Sequence, residues 1–424
     1  LLRCLVIGLA VSAPAVAGPL TLSAAVAELE THGFDLLLAD RSVAQARGDL
    51  RAAGALPGPL LSLSAGPSLG CFGDGCRSGA PTLQAQLQDQ GALSQLLWGK
   101  RALRVEGTAA ALRASQASRD DVRRQLRANL KQQFVAALLA ERSAAFAREV
   151  DESTQQTEAV IRARYRAGSV DDADVARVET QHLEAQQALD SSVLNLEQQR
   201  STLAFLLGRG TGARDLELEG EMFYSSHPVP AIETATRDAL VASALERRPD
   251  IAAQRASTEQ ADAALALLRR QRIPDVQPFL QFGQQGLSPD YSSPPYLSLG
   301  IAVPIPAYLL QGEIARAEAT VEQQRVALEK ARANVRADVE VGFAAFRAAR
   351  AQAARMEQGG LLSSARRARA LVSVQYDKGA ASLIELLDAQ RTFVATNAEY
   401  LQVVQSYWSA VFRLEAAVGQ ELMQ

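Results

Sequence analysis

Cysteine and histidine are nearly missing from this chain. Three of each occur in 424 residues, as Cys4, Cys71 and Cys76 and as His32, His182 and His227. That scatter gives no metal-ligand spacing and excludes a disulfide-dense scaffold. Aromatic residues are only 5% of the chain. There is no glycine-rich phosphate loop, no HExxH and no GxSxG, so the common routes to nucleotide, zinc and hydrolase chemistry are closed. No enzymatic activity, cofactor or metal is expected. Charge of one sign is not in excess either. Lys+Arg is 44 and Asp+Glu is 47, a net charge of −3, whereas a nucleic-acid partner would call for a basic surplus. No stretch reaches about 18 consecutive apolar residues, so no transmembrane helix is expected.

What the chain has in abundance is alanine, at 78 residues. Alanine is the best helix former and lets helices approach closely. Long, tightly packed helices follow as the expectation. At the start, Arg3 precedes the apolar run from Cys4 to Ala13, and Ala15-Val16-Ala17 offers a cleavage site. Residues 1–17 read as a secretory signal peptide cut after Ala17. Cys4 lacks a lipobox. The exported chain would keep Cys71 and Cys76, both in one glycine-rich loop. In an oxidising compartment they are expected to form a disulfide.

An internal repeat organises the rest. Tyr165-Arg166-Ala167-Gly168 returns as Tyr376-Asp377-Lys378-Gly379, 211 residues later. Val175, His182, Leu189, Leu196 and Leu203 recur every seven residues, and so do Leu386, Phe393, Tyr400, Tyr407 and Leu414. Two apolar stripes in matching register predict two coiled-coil helices. Leu96 to Lys100 and Leu309 to Glu313 each open a long Ala-rich stretch, predicting helices over 100–165 and 312–376. Each ends near a glycine suited to a left-handed cap. Shorter helices are expected over 30–55, 172–207, 240–272 and 382–418. The first repeat spans 18–208, a linker 209–230, and the second repeat 231–424.

Four short segments alternate instead. Leu61, Leu63 and Ala65 oppose Ser62 and Ser64; Leu83, Ala85 and Leu87 oppose Gln84, Gln86 and Gln88. Leu280 and Phe282 oppose Phe279, Gln281 and Gly283; Leu297, Leu299, Ile301 and Val303 oppose Tyr296, Ser298, Gly300 and Ala302. Period two over about nine residues suits membrane-spanning strands. Four strands leave edges that lipid does not tolerate. Three chains would supply twelve, between the filled eight-stranded barrel and the open sixteen-stranded one. The fold class is therefore mainly α, with long antiparallel coiled-coil hairpins and four β-strands per chain; the strands either cap a soluble helical body as two hairpins or, from three chains, form a 12-stranded trimeric barrel.

With these pieces in order, the chain resembles the TolC-type outer-membrane efflux proteins. The likeness is carried by the two Tyr-x-x-Gly turns with an acid six positions on (Asp174, Glu385). It is also carried by Glu385-Leu386-Leu387-Asp388-Ala389, by Trp98-Gly99-Lys100 and by Val303-Pro304-Ile305-Pro306. It points towards the metal-efflux, CzcC-like branch. The resemblance implies an outer-membrane exit duct with a periplasmic helical tunnel. It implies a homotrimer in outer-membrane lipid, working with a periplasmic adaptor and an inner-membrane pump. It also implies a periplasmic gate, whose positions match Asp174, Tyr376, Glu385 and Asp388. Where some members carry an Arg two residues after the second turn glycine, this chain has Ala381.

Each gate residue has a plainer reading beside this one. The acids begin helices, where they favour the dipole, and Tyr376 fills a turn. Like charges collected about an axis should raise one another's pKa. Tyr376 is expected to hydrogen-bond Asp174 across the turns. His182 reads as a core or interface residue, and Trp98 as an interfacial anchor or as packing. The alternative function is a periplasmic coiled-coil adaptor or scaffold.

Overall fold

The computed structural model describes residues 19–67, 81–210, 216–220, 236–285, 294–304 and 310–421. Ala17, Cys71, Cys76, Ile305 and Pro306 lie outside these, with most of the predicted linker. The elements run α1 (Leu22–His32), α2 (Phe34–Gly54), β1 (Leu60–Pro67), β2 (Pro81–Gln88), α3 (Ala92–Leu97), α4 (Lys100–Arg166) and α5 (Asp172–Leu206). Then come α6 (Arg237–Arg247), α7 (Pro249–Gln271), β3 (Gln277–Gln285), β4 (Tyr296–Ala302), α8 (Leu310–Gln358), α9 (Leu361–Asp377) and α10 (Leu383–Val418). No helix among the described residues is long and apolar enough to cross a membrane.

Three predicted helices are each broken in two. The 30–55 helix stops at Gly33, where a Cβ would lie 2.6 Å from the Leu29 carbonyl oxygen. The 240–272 helix restarts at Pro249, the first position of α7. Proline suits that position because its missing N–H would be unpaired there anyway, and it drives Arg248 to an extended backbone with ψ 126°. The 312–376 helix breaks at Gly359-Gly360, and Gly360 takes the left-handed φ of 59°, which glycine adopts without steric cost. By contrast α4 is continuous for 67 residues, as the alanine-rich sequence leads one to expect.

The chain divides into two compact units, each drawing on both sequence repeats. One comprises residues 1–36, 123–240 and 338–424; the other comprises 37–122 and 241–337. In the first unit, Leu29, Leu130, Phe134, Leu203 and Leu207 form a fully buried cluster. The predicted linker is not merely a tether. Leu216 joins this cluster, and Leu20 pairs with Leu218 in a parallel bridge. Along α10, Tyr407 meets Trp408 edge to face with centroids 5.1 Å apart, and Trp408 stacks on Phe412 at 5.9 Å.

The second unit holds all four strands, in the order β1-β2-β3-β4, every neighbour antiparallel. Its helices meet through small and aliphatic residues, with Leu265, Ile314 and Val321 buried. Arg101 and Arg104 on α4 donate to the carbonyls of Gly54, Ala53 and Ala55. They thereby satisfy carbonyls that the end of α2 leaves without helical partners.

Candidate functional site

The sheet has two chemically opposite faces. Strand pairing lines up Leu61, Leu87, Leu280 and Leu299 in one row, and Leu63, Ala85, Phe282 and Leu297 in another. These rows share one face because alternate residues point the same way. That face is uncovered: Leu63 is 71% exposed, Leu297 69% and Leu299 82%. The other face carries the row Ser62, Gln86, Gln281 and Ser298. None of the four strands contains a charged residue. Among the described residues, β1 and β4 end the sheet with unpaired edges.

Two aromatic rings lie on the polar face, each over a glycine across the strand. Phe279 pairs with Gly300, and Tyr296 with Gly283. A Cβ at Gly300 would sit 2.3 Å from the Phe279 ring, and one at Gly283 would sit 2.3 Å from the Tyr296 ring. The rings can lie against the backbone only because these two residues have no side chain.

In the first unit, the two Tyr-x-x-Gly turns fold alike. Gly168 and Gly379 both take φ 73°. Their N–H groups donate to Tyr165 and Tyr376 carbonyls, and the next residues close back on Arg164 and Gln375. The following caps also correspond. The Asp171 carboxylate accepts from the Asp174 N–H, and the Ser382 hydroxyl accepts from the Glu385 N–H. One apolar cluster joins both turns, with Ile161 and Val178 beside Tyr376, Leu383 and Leu387. The four residues named from the sequence are therefore brought to one region.

Their partners differ from expectation. The Tyr376–Asp174 hydrogen bond is not made among the described residues. Tyr376 is buried in the cluster, with the Arg164 guanidinium 4.9 Å from its ring centre. Asp174 pairs with Arg177 at 2.9 Å. Glu385 closes a capping box, accepting from the Ser382 N–H at 2.7 Å and its hydroxyl at 2.9 Å. Those two bonds hold the Glu385 carboxyl below its ordinary value, so within one chain the expected upward shift is reversed. Asp388 makes no ion pair among the described residues. It lines an open hollow of about 460 Å³ with Arg177, Thr180, Ile384, Leu387 and Arg391. Sequence reasoning missed Arg164, Arg177 and Arg391. A signal existed for two of them, since each follows an acid by three residues on a helix, the spacing at which side chains meet.

His182 sits on the α4–α5 face as expected, with Nδ1 on the Glu158 carboxylate and Nε2 3.4 Å from Asp151. Among the described residues, no group of three or more His, Cys, Asp or Glu could hold a metal ion.

The outer membrane efflux protein family matches residues 26–209 and 240–420. The cobalt-zinc-cadmium resistance protein CzcC of Cupriavidus metallidurans is 24% identical over 95% of this chain and 91% of its own. Among solved structures, a membrane protein from Pseudomonas aeruginosa superposes with a TM-score of 0.79 at 19% identity, covering 94% of this chain and 92% of that one. VceC from Vibrio cholerae gives 0.71 at 19% identity, covering 95% and 96%. The transmembrane channel protein CusC gives 0.72 at 19%, covering 94% and 92%.

Proposed function

The chain belongs to the outer membrane efflux protein family, and on that premise we propose that it is the exit duct of a tripartite efflux or type I secretion system. Three copies would close their sheets into one barrel. Its outside would be the exposed leucine face, and its lumen the uncharged Gln and Ser face. The observation that carries this reading is the sheet itself. An uncovered apolar face with two open edges needs both lipid and further strands. A soluble adaptor or scaffold gains nothing from such a face. The helices would form the periplasmic tunnel, docked to a periplasmic adaptor and an inner-membrane pump. The duct conducts passively and has no enzymatic step. In the same reading, residues 1–17 are the export signal and 18–208 and 231–424 are the two repeats. Similarity to a cobalt-zinc-cadmium resistance protein supports divalent metal ions as cargo.

The gate is assigned to Asp174, Tyr376, Glu385 and Asp388, with Asp388 the acid that makes no ion pair among the described residues. Three chains around an axis would present a ring of Asp388 carboxylates, and acid rings select cations. Planar-bilayer recording of the detergent-purified protein tests both levels. The expected result is a trimer that conducts, cation-selective with divalent salts. Glu385→Ala with Asp388→Ala should lose most of that selectivity and its block by trivalent cations. A monomer without conductance overturns the duct. A conducting trimer whose selectivity ignores both substitutions overturns only the gate.

The glycine-seated rings give a second expectation. Valine at Gly300 or Gly283 must push the facing ring off the wall. Such overpacking typically costs about 1–3 kcal/mol, and the displaced ring should narrow the lumen. Single-channel conductance should fall in Gly300→Val and recover when Phe279→Ala is added. Unchanged conductance in Gly300→Val would mean that the ring does not border the conducting path.

A further inference from the structure

We propose that α3 and Trp98 form a membrane foot, seated in the periplasmic leaflet of the outer membrane at the base of the sheet. The inference rests on the barrel reading above and assigns a second lipid contact outside the strands. α3 is only six residues long, too short to be stable alone, and it is held from one side. Asp89 accepts from the N–H groups of Gly91, Ala92 and Leu93, at 3.2, 3.1 and 3.3 Å. Ser94 is buried. Its hydroxyl donates to the Val276 carbonyl at 2.7 Å and accepts from the Val276 N–H at 2.8 Å. Just beyond, buried Lys100 donates to the Ile273 carbonyl at 2.6 Å and pairs with Asp275 at 2.8 Å. These bonds fix the polar side of the turn against the segment entering β3.

The opposite side is apolar and bare. Leu93, Leu96 and Leu97 stand at i, i+3 and i+4, which is one helical face. They are 53%, 51% and 68% exposed, and Trp98 beside them is 37% exposed. The Trp98 indole N–H has no hydrogen-bond partner among the described residues. An apolar ring with a free polar edge is what concentrates tryptophan at the membrane–water boundary. A soluble surface has little reason to present four large apolar side chains in six consecutive positions, and such patches mark contact sites.

Lipid is the occupant because the patch continues a lipid face. β2 ends at Gln88 and α3 begins at Ala92. Four residues reach at most about 14 Å, and the headgroup and interfacial layer flanking the hydrocarbon core is about 5–7 Å deep on each side, so the short link keeps α3 at or just below that layer. The chain then enters α4, one of the long helices assigned to the periplasmic tunnel, so the leaflet is the periplasmic one.

The chain carries its own reporter, because it has two tryptophans and Trp408 is fully buried. Full-length protein would be reconstituted into phosphatidylcholine vesicles with and without bromine on the upper acyl carbons. Bromine should quench part of the wild-type fluorescence, that part should vanish in Trp98→Phe, and aqueous acrylamide should quench it weakly. Emission equal in both vesicles, or bromine quenching that survives Trp98→Phe, would overturn the foot. Leu299→Trp in the Trp98→Phe background separates the two levels. If that tryptophan is quenched and Trp98 is not, the barrel stands and a neighbouring chain covers α3. If neither is quenched, the barrel reading fails with the foot.

Discussion

Arginine in place of Leu299 is expected to cost on the order of 2–4 kcal/mol of barrel stability. Leu299 is 82% exposed, the most uncovered large apolar residue of the sheet. It completes the row that begins at Leu61. In water such a substitution would be harmless, because an arginine in place of an uncovered leucine loses no burial. In a bilayer, the guanidinium must either desolvate or drag water inwards, and the cost is largest near the midplane. The adjacent residue supplies the control. Ser298 points to the polar face, so Ser298→Arg should assemble normally and shift ion selectivity instead. The measurement is the yield of trimer in the outer-membrane fraction, with urea unfolding of the reconstituted protein. Equal yields for the two variants would mean that the leucine face does not meet lipid.

The strands were legible because a sheet with one apolar and one polar face forces period two. The predicted segments fall within β1 to β4 apart from Val303, which lies one residue beyond β4. The repeat offset was legible in finer detail than its low identity suggests. Asp171 and Ser382, 211 residues apart, both cap helices and both accept from the third residue on. The breaks at Gly33 and Gly359-Gly360 were not legible. A glycine within an alanine-rich run is compatible with helix at about 1 kcal/mol, so its presence does not announce a stop. Pro249 did carry a signal, as a first-turn proline, that periodicity alone passes over. α3 is shorter than two helical turns and has no period to detect.

At the candidate gate, sequence placed the acids and not their partners. Which cation reaches which carboxylate depends on packing across the two turns, and Tyr376 took Arg164 rather than Asp174. The capping box also reverses the expected electrostatics within the chain. A carboxyl whose folded pKa is depressed adds stability above its unfolded pKa. That stability is lost as pH falls through the folded value. The first turn of α10 should therefore loosen in acid, opposite to a ring of carboxylates, whose repulsion protonation relieves.

The largest loss expected in the helical unit comes from Glu415→Ala. Lys131 on α4 meets Glu415 on α10 at 2.9 Å, with side chains only 11% and 6% exposed. The Lys131 ammonium also lies 5.7 Å from the Phe412 ring centre, beside the buried Trp408 stack. Removing one partner of a buried pair leaves the other charge without compensation, at about 3–5 kcal/mol. Glu421, 4.0 Å from Lys131 and 58% exposed, is too distant and too wet to replace it. Replacing both ions should behave differently. Lys131→Met with Glu415→Leu removes the charge along with the need to solvate it, and well-packed apolar substitutes are often neutral or stabilising. Denaturant unfolding followed by helical circular dichroism should rank the double variant near wild type, with Glu415→Ala well below both. Wild-type stability in Glu415→Ala would mean that water reaches Lys131 and that the pair is not desolvated. The contrast bears on the gate because α10 carries Glu385 and Asp388 at its start and this pair near its end. A duct that opens by moving the start of α10 needs its other end fixed. An ion pair with one geometry fixes register more narrowly than interchangeable leucines do. The double variant should therefore keep its stability and show broader conductance substates than wild type in bilayer recordings.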